Sequence, residues 1–440
     1  MTDSLSLPPE ILCTIFVELQ PKKRLRHQLP VEVVVSHVCK HWRGAAIGFP
    51  QLWSRIDVYS DKSQDRLAGY LERSNPCLVD VNIDTYDFDN GSNSLDEVAS
   101  FAHAFELIAK HIERVKRLFW FTRYENTIEQ YRNPFMNVAA PQLEHLRIVA
   151  TKHIVPYKRS GPSYTIFNGG APLLNLVDIG ATWTLPCIEH LTTLILGDIC
   201  PPFDGLASQF LRIITSAPNL QNLAIHRTFG TATTDIMTGP ISMPNLRSLK
   251  LAFQHTSLIV SFLFGLQAPL LESLWLSCRP FMALYPFLKH AQVASGTKFP
   301  RLKYLTLQTY DFPECSLFAR AFSTVRCLHL LYPRNSLLNL DELFGMSSSQ
   351  YVYWPSVDTL AIQSTHDAYT SNNFVNQLHG LIHYRRQVDK KIKNFLFDSD
   401  LFEIVSRDEN ICRNVTVETL HGNNYDEYWW NLDASQYLQL

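Results

Sequence analysis

The chain reads as an α/β protein, a short all-helical N-terminal unit followed by an irregular solenoid of strand-and-helix repeats, and three observations predict it. One phrase recurs along the chain, its spacing suits stacked repeats, and the N-terminal stretch follows a helical period instead. The phrase is clearest at Pro244-Asn245-Leu246-Arg247-Ser248-Leu249-Lys250-Leu251: a proline, then apolar residues two, five and seven places later. Copies begin at Pro141, Pro172, Pro218, Pro269, Pro300 and Pro355. Others, with a different first residue, begin at Glu113, Glu189, Ser323 and Lys390, and an outlying one at Pro76. From Glu113 to Lys390 the mean step is about 28 residues, which is the range of a leucine-rich-repeat solenoid.

The fifth and seventh positions are two apart, so they share one face of a short strand. One strand cannot bury that face, whereas stacked copies make a continuous core. Three apolar residues per copy, at roughly 1.5–3 kcal/mol each when fully buried, give a large driving force before entropy is subtracted. Helices are expected over 94–112, opened by the capping box Ser94-Leu95-Asp96-Glu97, and over 206–217, 258–266, 280–294 and 373–392. The strands are expected in a parallel sheet on the concave side, with the helices on the convex side. The expected domains are 1–57, helical; 58–112, linker and cap; 113–409, repeats; and 410–440, a cap or tail rich in aromatics and acids.

Composition bounds the function. The chain has 440 residues, 46% hydrophobic and 18% charged, which describes a globular protein. A net charge of −2 argues against a mainly electrostatic nucleic-acid binder. The polar start predicts no signal peptide, and the longest apolar run, 258–266, is too short to span a bilayer. Nine scattered cysteines without a Cys-x-x-Cys pair suit reduced thiols in the cytoplasm or nucleus.

The N-terminal unit opens at Leu7-Pro8-Pro9-Glu10, where proline and glutamate suit the first turn of a helix. Ile11, Ile15 and Leu19 form one apolar line, and Leu12 with Phe16 a second. So broad a band implies burial on two sides, one against its own domain and the other against a partner or the solenoid behind it. A second helical run carries Val34, Val35, Val38, Cys39 and Trp42, and a third apolar piece is Phe49-Pro50-Gln51-Leu52-Trp53. The basic loop Pro21–His27 reads as a solvated loop or as a nuclear localisation signal.

Those three pieces in order, followed by a solenoid, resemble an F-box, and Tyr70–Val81 resembles the linker and first strand of fungal F-box/leucine-rich-repeat proteins. The resemblance implies that the helices dock on a SKP-family adaptor, which joins a cullin–RING ubiquitin ligase, and that the repeats hold a target protein. Leu7, Pro8, Ile11, Leu12, Ile15 and Phe16 match the family's adaptor-facing first segment. Val38, Cys39 and Trp42 match its second helix. The basic loop is longer than the family pattern. The other reading is a leucine-rich-repeat scaffold that recruits no ligase.

Strand alternation places positions four, six and eight of each copy on the face away from the core. Among them are Arg147, His226, Lys250, Trp275, Tyr304, Gln308 and His329, candidate contacts for a target protein because Trp, Tyr and Arg dominate binding hot spots. The competing reading is that part of the chain covers Trp275. No asparagine ladder follows the strands: its slot holds Thr151, Thr182, Ile199, Thr228, Gln254, Arg279 and Tyr310.

Catalytic chemistry is not legible. His37 and His41, four apart, make half a metal site without a third ligand, and His379-Gly-Leu-Ile-His383 lacks the glutamate of a zinc-protease helix. Asp87–Gly91 is a fragment of a calcium loop. There is no phosphate loop and no nucleophile elbow, so neither an active site nor a cofactor is expected.

Overall fold

Every copy of the phrase ends in a strand. The structure is a computed structural model that describes residues 7–21, 28–59, 64–85, 95–152, 165–180, 185–197, 213–226, 239–253, 257–278, 284–293, 298–308, 315–332, 339–347, 351–364 and 371–420. Its contacts divide into two compact units, Met1–Pro202 and Phe203–Leu440.

The first unit begins with three helices, α1 (Pro9–Glu18), α2 (Val31–Ser36) and α3 (Lys40–Ile47), and a 3-10 turn, Pro50–Trp53. Six parallel strands follow in chain order: β1 (Arg55–Val58), β2 (Val79–Asp84), β3 (Val115–Tyr124), β4 (His145–Lys152), β5 (Leu176–Gly180) and β6 (Thr193–Gly197). Helices α4 (Gln64–Arg73), α5 (Leu95–Lys110) and α6 (Glu125–Tyr131) lie between the early strands. The core is aromatic. Phe105 on α5 packs 4.5 Å from Trp120 on β3 and stacks 5.0 Å from Tyr131 on α6.

The second unit holds β7 (Asn222–His226), β8 (Ile241–Ser242), β9 (Ser248–Phe253), β10 (Leu266–Gln267), β11 (Ser273–Cys278), β12 (Tyr304–Gln308), β13 (Cys327–Tyr332), β14 (Thr359–Ser364), β15 (Asn394–Phe397) and β16 (Thr416–Thr419). All but the short pair β8·β10 form one parallel sheet in chain order. The helices are α7 (Ser257–Gly265), α8 (Tyr285–Val293), α9 (Cys315–Ala321), α10 (Leu340–Phe344), α11 (Ser371–Gln387), α12 (Ser399–Val405) and α13 (Glu409–Cys412). Neighbouring helices pack in sequence, joined by ring contacts such as Phe264–Phe287 at 5.7 Å. The fifth and seventh residues of the Pro244 copy, Leu249 and Leu251, are fully buried, as are Leu246 and Leu274.

The structure corrects four expectations. Strand β1 was not anticipated, although Trp53, Ile56 and Val58 stand two, five and seven places after Gln51, the spacing of the phrase without its proline. The helical run through Val34 and Trp42 breaks into α2 and α3: Cys39 is the extended N-cap of α3, its sulfur accepting from the Trp42 amide over 3.4 Å. His37 and His41 therefore do not share a helix. The helix expected over 373–392 stops at Gln387, because Asp389 takes a left-handed φ of 52° and the Lys390 amide donates back to the Arg385 carbonyl over 2.9 Å.

The fourth correction concerns the face of the sheet turned from the core. Arg147, Lys250, Trp275 and His329 are buried, not presented. Parallel sheets are commonly covered on both faces, and strands ~4.8 Å apart let long side chains lie over their neighbours. Register aligns Lys250, Trp275, Thr306 and His329 in one row. The Lys250 ammonium sits 3.5 Å from the Trp275 ring centroid. Arg147 and Asp178 are register neighbours in the first unit, Nε to Oδ2 2.9 Å, with the Arg147 guanidinium also over the Phe121 ring at 5.0 Å. His226 and Gln308 are half-buried, and Tyr304 is exposed.

Residues Ser94, Asp87–Gly91, Lys22–His27, 206–212 and the aromatic tail beyond Leu420 lie outside the described residues, as do the ladder slots except Thr151.

Candidate docking surface

Helix α1 begins with Pro8 as N-cap and Pro9 in its first turn, where a missing N–H costs nothing, and Glu10 meets the positive end of the dipole. Its apolar residues then divide by angle around the axis. Leu12 and Phe16, one turn apart, are 1% and 0% exposed. They are core residues, which corrects their placement among adaptor contacts: they fill the space against the unit's own helices, and the Phe16 ring lies 5.1 Å from Trp42. Trp42, half-buried, is thus chiefly a packing residue of α3. Ile11 and Ile15, also one turn apart, are 49% and 37% exposed, and Leu7, Pro8 and Leu19 are exposed beside them.

The same division holds across α2, α3 and the break between them. Val35, Ala45 and Ala46 are buried, while Val34, Val38 and Ile47 are exposed. Cys39 is exposed too. Among the described residues, twelve large apolar side chains are exposed, and eight of them fall between Leu7 and Ile47. Single exposed apolar residues are ordinary, but this concentration in one small helical segment makes it a candidate docking surface.

Polar contacts fix the three helices. The His41 Nε2 lies 2.9 Å from the Leu7 carbonyl, tying the start of the chain's first described segment to α3. Arg43 donates to the Ser36 carbonyl over 2.8 Å, closing the break between α2 and α3. Glu32 on α2 is fully buried, accepting from the Tyr70 hydroxyl at 2.7 Å and the Gln20 amide at 3.2 Å. Trp53 donates to the Ala46 carbonyl over 2.7 Å and meets Tyr70 edge-on at 5.0 Å. The exposed apolar residues are therefore held on a rigid base that leans on α4.

Residues 4–59 match the family model described as F-box-like. The chain carries an F-box-like domain. Its matched span takes in α1, α2, α3, the 3-10 turn and β1. No curated protein matched the chain.

Elsewhere, His379 pairs with Asp408, Nε2 to Oδ2 2.9 Å, and His383 with Gln387, so neither histidine of that pair faces a common ligand. Among the described residues no three His, Cys, Asp or Glu side chains gather as a metal site. No helix among them is long and apolar enough to cross a membrane. His145, half-buried, is held below the usual imidazole range by burial and by the Arg117 guanidinium in the adjacent strand. His329 is pushed down to about 3 by burial.

Proposed function

We propose that the chain is the substrate-recognition subunit of an SCF-type cullin–RING ubiquitin ligase. Its F-box-like domain binds a SKP-family adaptor, and the parallel strands and their helices, a leucine-rich-repeat solenoid in this reading, hold the target protein. The observation that carries the proposal is a coincidence of place: the F-box-like match and the cluster of exposed apolar side chains fall on the same helices. The adaptor-contacting residues are then Leu7, Pro8, Ile11, Ile15 and Val38, with Cys39 at their edge.

The solenoid reading is supported by the recurring phrase and by strands that pair in chain order with parallel register within each unit. The chain itself performs no chemistry. It acts by raising the effective concentration of a target near a ubiquitin-charged enzyme. Of the outward strand positions, Tyr304 is the exposed one, and with the half-buried His226 and Gln308 it is the best-placed contact for a target. The reading places the protein in the cytoplasm or nucleus, with no cofactor, nucleic acid or membrane among its partners.

The test is co-purification with a SKP-family adaptor. Wild type is expected to retain the adaptor, and Ile11→Asp/Ile15→Asp to lose it while keeping its helical circular-dichroism signal. Absence of adaptor from the wild-type preparation would favour the repeat scaffold without ligase recruitment.

A further inference from the structure

At the end of the second unit, far along the chain from α1, a pocket is lined by four cationic side chains and no acidic one. Arg386 comes from the last turn of α11, and Arg413 caps α13. Lys391 and Lys393 come from the approach to β15. Asn414 and Thr416 add an amide and a hydroxyl to the same wall. In a chain whose net charge is −2, this gathering is not the by-product of a basic composition.

Helix C-termini attract cations, and that accounts for Arg386 and Arg413. It does not account for the lysines, which lie beyond α11 and outside any helix. Both lysines are exposed, and neither makes an ion pair among the described residues. Lys393 donates its backbone amide to the Asp358 carbonyl over 2.7 Å, yet its ammonium makes no bridge to the Asp358 carboxylate. The arginines, by contrast, are oriented. Arg386 donates to the Asn414 side-chain oxygen over 2.6 Å, and Arg413 to Glu409 over 2.6 Å.

We propose that this pocket binds a phosphomonoester dianion. Two guanidinium forks match tetrahedral oxygens in pairs, and the ammonium groups supply point charges. Four lining cations, one of them paired with Glu409, leave an excess of three among the described residues, which a dianion nearly neutralises and a single carboxylate would not. The phosphate comes either from a phosphorylated side chain of a bound protein or from a small phosphorylated molecule.

The experiment titrates the full chain with inorganic phosphate by calorimetry, at ionic strength held constant with sodium chloride. Wild type is expected to show saturable binding in the millimolar range or tighter. Lys391→Ala/Lys393→Ala, which removes no hydrogen bond of the fold, is expected to bind about tenfold more weakly or worse with its unfolding midpoint unchanged. A second readout needs no variant: phosphate is expected to slow alkylation of Cys412, on the pocket wall, and to leave exposed Cys39 unaffected. No saturable binding by wild type, equal binding by the double variant, or equal effects on the two cysteines would overturn the proposal. Comparing free O-phosphoserine with a phosphoserine peptide separates the sources: tighter binding of the peptide assigns a phosphorylated protein, and equal binding a small molecule.

Discussion

The Tyr70 hydroxyl donates to the Glu32 carboxylate over 2.7 Å, both residues buried, and so joins α2 to the helix that follows β1. This bond welds the F-box-like helices to the start of the sheet. Tyr70→Phe leaves a buried acceptor with one donor fewer and is expected to cost about 1–3 kcal/mol. Urea denaturation checks it, and a midpoint equal to wild type would contradict it.

Arg147 and Asp178 form a buried ion pair in the first unit. Asp178→Ala removes the carboxylate facing a buried guanidinium and is expected to cost about 3–5 kcal/mol. Arg147→Met/Asp178→Leu is expected to recover most of that loss, because an apolar pair of similar volume replaces the ion pair without the cost of burying charge. Additive losses in the double variant would show that the pair is not coupled.

Burial keeps His329 neutral in the folded state, with its pKa down at about 3 against an ordinary 6.5. The unfolded chain therefore binds a proton that the folded chain refuses between those values, and stability falls as pH drops from above 6.5 towards 3. At pH 5 the expected loss from this group is about 2 kcal/mol. His329→Leu is expected to flatten that part of the stability-against-pH curve, measured by urea midpoints at pH 5 and pH 7. Identical slopes for wild type and variant would refute the assignment.

Trp275 and Tyr304 occupy adjacent strands, one buried at 8% exposure and the other open at 40%. Trp275→Ala is expected to cost about 3–5 kcal/mol through lost packing, including the contact with Lys250. Tyr304→Ala is expected to change stability by less than about 0.5 kcal/mol. Thermal unfolding of the two variants distinguishes a core tryptophan from a contact residue.

The strands were legible because each copy of the phrase couples a chain reversal to a two-residue period, a local signal that tertiary packing only reinforces. Strand β1 carries the same spacing, with Trp53, Ile56 and Val58 two, five and seven places after Gln51, but it overlaps the apolar piece 49–53 and hid among F-box-like residues. The break at Cys39 was invisible because the apolar spacing from Val34 to Trp42 runs on at helical period, while the cap depends on one sulfur and one backbone amide. On α1, Ile11 and Ile15 read no differently from Leu12 and Phe16: a helix apolar on most of its girth does not announce which stripe its own domain takes. The burial of Lys250 and Arg147 escaped a pattern reading that sends charged residues to water, because their compensation comes from Trp275 and Asp178 on the next strand.

The most direct test of the account separates the two stripes of α1. Adaptor affinity would be measured by calorimetry for wild type, Ile11→Ala/Ile15→Ala and Leu12→Ala, each with its urea midpoint. The account predicts that the exposed pair loses about 100-fold or more in affinity at unchanged stability. It predicts that Leu12→Ala loses about 2–5 kcal/mol of stability and binds like wild type while folded. Wild-type affinity in Ile11→Ala/Ile15→Ala, with the loss confined to Leu12→Ala, would contradict it.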